Sequence, residues 1–116
     1  MIPANMMVNR IGKVLYRRID GTYKIKFSPN TCDVYMFMYY QSPGEDMKQM
    51  NFDLSITTYQ NKLRINITEI TPMERTIGQL IYKPEVVQDD QEFFARVHKD
   101  IVAKITHAYE DYDFVF

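Results

Sequence analysis

The stretch from Met50 to Thr68, MNFDLSITTYQNKLRINIT, decides the fold. Met50, Phe52, Leu54, Ile56 and Thr58 alternate with Asn51, Asp53, Ser55, Thr57 and Tyr59, the period-2 pattern of a strand with one buried face. A turn centred on Gln60 and Asn61 sets Thr58 opposite Leu63, Ile56 opposite Ile65 and Leu54 opposite Ile67. The same register brings Thr57, Ser55 and Asp53 against Arg64, Asn66 and Thr68 on the other side. Two alternations agree on one pairing, so the chain contains an antiparallel hairpin with one apolar face.

The neighbouring segments extend this sheet. Val34 to Tyr40 is apolar on both faces and reads as a central strand, with Met36 and Met38 alternating against Tyr35, Phe37 and Tyr39. Ser42 to Asp46 is a surface loop of Pro, Gly and acids. Asp20-Gly21 reads as a type I′ hairpin turn, since Asp tolerates positive φ and Gly adopts it freely. That reading makes Val14 to Ile19 a strand paired with Thr22 to Phe27, and it puts Arg17, Lys24 and Lys26 together on the outer face. After the break at Thr71-Pro72, Thr76 to Lys83 forms a further strand, which Pro84 ends.

A helix follows, starting after Asp89 or Asp90 and running to about Tyr109. Phe94, Val97, His98, Ile101, Ile105, Ala108 and Tyr109 share one face at helical spacing, with Phe93 and Val102 at its margins. The expected fold is therefore α+β: an antiparallel β-meander sheet or half-open barrel of about six strands, covered by one C-terminal α-helix. One domain spans residues 1 to 116, and residues 110 to 116 form an acidic-aromatic tail. This element order is similar to that of the pleckstrin-homology-like superfold. The Trp usual in that superfold's closing helix is absent, six strands replace seven, and no family is assigned.

Composition bounds the function. With 46% hydrophobic and 25% charged residues, 4 Gly and 5 Pro, the chain is globular in composition. A single cysteine, Cys32, forms no internal disulfide, and no basic start followed by an apolar run opens the chain, which points to the cytoplasm or the nucleus. The longest apolar run, Val34 to Tyr40, is far short of the roughly 20 residues that span a bilayer.

Catalytic and metal signatures are missing from the sequence. His98 and His107 lie on different helix faces, no paired-Cys or His-Glu-x-x-His spacing occurs, and Cys32 lies beside Asp33, whose charge disfavours a thiolate. No cofactor, metal or enzymatic activity is inferred. Charge is polarised: residues 1 to 30 hold six basic side chains against Asp20, whereas residues 85 to 116 hold eight acids against Arg96, Lys99 and Lys104.

These features suggest a non-enzymatic protein-interaction module, an adaptor or assembly factor, that binds a protein partner or self-associates. Two binding surfaces are proposed from the residues: a basic sheet face of Arg17, Arg18, Lys24 and Lys26, and the tail residues Tyr112, Phe114, Val115 and Phe116, for which the six-strand core leaves no place. The basic face alternatively suits an anionic lipid or phosphate. A small apolar ligand between sheet and helix, lined by Tyr35, Phe37, Tyr39 and the methionines, is the third reading. The acidic balance and the lack of a basic-Gly-aromatic motif argue against nucleic acid.

Overall fold

A computed structural model describes residues 4–83 and 90–115. The elements run α1 (Ala4–Arg18), β1 (Thr22–Phe27), β2 (Cys32–Gln41), β3 (Lys48–Tyr59), β4 (Lys62–Thr71), β5 (Arg75–Tyr82), α2 (Asp90–Ala108) and β6 (Asp113–Val115). The fold is α+β, an open six-stranded antiparallel sheet with a helix from each end of the chain. Strands β1 to β5 lie in sequence order, and β6 returns to pair with β2.

The β3–β4 hairpin has the register that its alternation implies: Thr58 faces Leu63, Ile56 faces Ile65, Leu54 faces Ile67 and Asp53 faces Thr68. Gln60 and Asn61 both adopt positive φ, 50° and 60°, as a two-residue turn between twisted strands requires. Cys32, Val34, Met36, Met38 and Tyr40 of β2 join Met50, Phe52, Leu54, Ile56, Leu63, Ile65 and Ile67 on one buried face. Both helices pack against that face.

The N-terminal strand expected at Val14 to Ile19 is instead the end of helix α1 and the turn after it. Met7, Val8, Ile11, Leu15 and Ile19 recur at three- and four-residue spacing and are buried, and this longer period overrides the short alternation after Val14. Asp20-Gly21 is accordingly a helix exit and not a hairpin turn. Gly21, at φ 89°, follows the helix as a left-handed terminating residue, and the Thr22 hydroxyl donates to the carbonyls of Tyr16 (2.6 Å) and Ile19 (3.0 Å). The six-strand count holds because the C-terminal tail supplies β6. An N-terminal helix also departs from the pleckstrin-homology-like outline.

Helix α2 begins at Asp90, while Asp89 and Pro84 lie outside the described residues. Its buried stripe is Phe93, Val97, Ile101 and Ile105, a strict four-residue series continued by Tyr109, with Phe94, His98 and Val102 on the flank. The Tyr82 hydroxyl donates to Asp100 Oδ2 at 2.7 Å, tying β5 to this helix. Glu69, only 2% exposed, ends the inward series of β4. Its side-chain oxygens accept the Tyr109 hydroxyl and, at 2.8 Å, the Met73 N–H, so a buried polar group is satisfied and the end of α2 is held to the β4–β5 turn.

At Gly12 helix α1 comes close to Cys32 of β2. A methyl group there would lie 2.2 Å from Cys32 Sγ and 3.1 Å from its Cβ. Elsewhere, alanine in place of a helical glycine stabilises by about 0.5–1 kcal/mol. Here the clash outweighs that gain, so Gly12→Ala is expected to lower the melting temperature, and adding Cys32→Ala to restore much of the loss. Thermal melts of the two single variants and the double variant check this through their non-additivity; a Gly12→Ala protein that melts higher than the parent would mean that α1 does not sit over Cys32.

Candidate functional site

Both helices cover one face of the sheet, and among the described residues nothing covers the other, open face. Toward the β1 edge it carries four aromatic rings on β1 and β2. Tyr23 lies 6.3 Å from the rings of both Tyr35 and Phe37, and Phe37 meets Tyr39 edge-on at 5.3 Å. Tyr35, Phe37 and Tyr39 share this face by simple alternation along β2. Tyr23 joins them through a bulge: β1 pairs Thr22 with Met36 and Lys24 with Tyr35, so an extra residue stands between the two pairs. Tyr23 is 48% exposed and Tyr39 42% exposed. Lys24 lies over the Tyr35 ring at 5.4 Å.

Beside the rings is a polar zone built by cross-strand pairing. Lys26 faces Asp33, Asp33 faces Ser55, and Tyr35 faces Asp53. Burial, a hydrogen bond with Asp33 and the charge of Asp33 push the Asp53 carboxyl up to about 7, opposed by Lys26. Asp53 Oδ1 is buried with no hydrogen-bond partner among the described residues. Burial first, then the nearby Asp53 and Asp33, also raises the Tyr35 phenol above its ordinary value. Farther along the sheet Arg64 lies over the Tyr59 ring at 4.9 Å, and its buried Nε has no hydrogen-bond partner among the described residues.

The four basic residues read from the sequence do not form one patch. Lys24 and Lys26 belong to the open face, whereas Arg17 and Arg18 end α1 in the opposite layer, where Arg18 lies over the Phe94 ring at 5.7 Å. The physical reason is the helical period of residues 4 to 18, which removes the strand register that groups Arg17 with Lys24 and Lys26. The tail residues have places in their own domain. Tyr112 stacks between Tyr40 at 4.8 Å and Tyr109 at 5.6 Å, and Phe114 packs near the same two rings, opposite Tyr40 in the β2–β6 ladder. Val115 pairs with Tyr39 and keeps an exposed side chain, and Phe116 lies outside the described residues.

A cleft of about 280 Å³ opens where β1 and β6 approach each other along β2. Met36, Phe37, Met38 and Tyr39 form its sheet side, and His98 and Val102 of α2 its helix side. His98 is stacked on Phe94 at 5.6 Å. His107 is exposed on the far side of the helix, 3.6 Å from Glu110. Of the methionines around the β2–β3 loop, Met36, Met38 and Met50 are core and Met47 is exposed. Cys32 is buried, and burial together with Asp33 raises its thiol to about 11, away from thiolate chemistry at neutral pH. Among the described residues no group of three or more His, Cys, Asp or Glu is placed to hold a metal ion, and no helix is long and apolar enough to cross a membrane.

No model of a known protein family, no curated protein and no solved structure matches the chain.

The Asp33–Asp53 pair leaves a signature in stability. Because the folded-state pKa of Asp53 is raised, the native protein keeps a proton that the unfolded chain has lost, from about pH 4, the ordinary Asp value, up to about 7. Its contribution to stability therefore falls as pH rises through that window. Asp53→Asn is expected to flatten this decline and to melt higher than the parent at pH 8, as measured by thermal denaturation from pH 4 to 8. An unchanged slope would show that Asp53 is ionised throughout.

Proposed function

We propose that the chain is a non-enzymatic protein-interaction module whose partner docks on the open face of the sheet. The observation that carries this reading is the run Tyr23, Tyr35, Phe37 and Tyr39: four rings side by side on the uncovered face, two of them about half exposed. Contiguous exposed apolar surface of this kind marks binding sites, and tyrosine is favoured there because a rigid ring buries a large area with little loss of side-chain freedom. Lys24 and Lys26 at the margin favour a partner with acidic groups around an apolar centre. An anionic lipid or phosphate is less well served, since Arg17 and Arg18 stand in the other layer.

The test is the double substitution Tyr23→Ser with Tyr39→Ser. Both side chains are exposed, so the variant should fold with a melting temperature close to the parent's. Immobilised parent chain should retain a protein partner from native extract, and the purified partner should bind the variant at least about tenfold more weakly, a loss of roughly 1.4 kcal/mol. Equal affinity for both chains would remove the open face from consideration.

A second reading rests on the cleft between β2 and α2, whose apolar lining suits a small ligand and whose volume lies just below the usual range of roughly 300–1,000 Å³. Native mass spectrometry of the freshly purified chain is expected, on this reading, to show an added small mass that Val102→Phe removes. Only the bare chain mass, at gentle source conditions, would count against it.

A further inference from the structure

The two edges of the sheet are built differently. Along β2 the edge is made of two short strands, β1 and β6, which carry Lys24, Lys26 and Asp113. Short strands and charges of this kind prevent pairing with another chain. The opposite edge is β5, and its run from Thr76 to Tyr82, TIGQLIY, has neither charge nor proline. Among the described residues nothing pairs with the outward side of β5. Ile81 on this strand is 43% exposed.

Helix α2 lies beside that edge and runs antiparallel to β5: Tyr82 is bonded to Asp100, and Gly78 lies against Lys104. Between strand and helix is a groove of about 390 Å³ lined by Leu80, Asp100, Ala103, Lys104 and His107. Lys104 has no ion-pair partner among the described residues.

We propose that β5 pairs with β5 of a second copy of this chain, so that the two sheets continue as one and the two α2 helices lie side by side across the joint. A two-fold axis normal to the sheet makes such a pairing antiparallel and uses the same surface twice. An axis passing near Leu80 on the strand also passes midway between Asp100 and Lys104 on the helix. Each Asp100 then faces the other copy's Lys104, because opposite charges one helical turn apart are self-complementary under that rotation. Ala103 is small enough to let the helices approach. An unrelated strand would also satisfy the edge, but only a second copy uses the reciprocal Asp100 and Lys104.

Sedimentation velocity of the intact chain across a micromolar concentration series tests this. A species of twice the 13.8 kDa chain mass should grow with concentration. Gln79→Lys, which adds a like charge on each side of the joint, and Lys104→Glu, which faces Asp100, should each weaken dimerisation about tenfold or more, without moving the melting temperature of the dilute chain. The Tyr23→Ser, Tyr39→Ser protein should still dimerise, which separates this edge from the open face. A chain that stays monomeric throughout overturns the proposal, as does a dimer that survives Gln79→Lys and Lys104→Glu but is lost in the double tyrosine variant.

Discussion

An antiparallel sheet with one apolar face has to cover that face, and the width of the sheet decides how. Five strands about 4.8 Å apart span roughly 20 Å, while one helix with its side chains is only about 10 Å across. The inner face of the five strands is therefore too broad for α2 alone. Helix α1 supplies the rest of the cover, lying over the β1 to β4 side while α2 lies over β5. Its approach depends on Gly12, the position at which Cys32 leaves no room for a side chain. From this division of labour the rest follows: a one-sided core, an uncovered outer face, and a tail that returns to the β2 edge.

The hairpin of β3 and β4 was legible because side-chain alternation on both strands and the turn between them impose the same register. The buried position of Glu69 follows from the same alternation through Leu63, Ile65 and Ile67. Its partner Tyr109 does not, since it comes from forty residues away at the end of α2. Helix α1 departs from the strand expected there for a local reason. Asp20-Gly21 offers positive φ to a hairpin or to a helix exit alike, and the six residues before it fit either period. Only Met7, Val8 and Ile11, read together with Leu15 and Ile19, settle the matter in favour of the helix.

The open face was half visible in the sequence. Tyr35, Phe37 and Tyr39 fall on one side of β2 by alternation, but Tyr23 joins them through a bulge that no composition or spacing announces. The basic patch was drawn from a register that the helix abolishes, so its four residues divide between two layers. Charge polarity nevertheless has a structural counterpart: the basic end of α1 meets α2 where Arg18 lies over Phe94, and the two halves of opposite sign are neighbours in the helical layer.

Adjacent residues Tyr39 and Tyr40 hold the most direct test of a sheet covered on one side only. Tyr39 points to the open face and is 42% exposed, whereas Tyr40 points to the core and is 5% exposed. Hydroxyl-radical footprinting of the free protein, resolved to single residues by tandem mass spectrometry, should oxidise Tyr39 and Tyr23 readily and leave Tyr40 and Tyr82 protected. Equal protection of Tyr39 and Tyr40 would mean that both faces are covered, and the open aromatic surface would not exist.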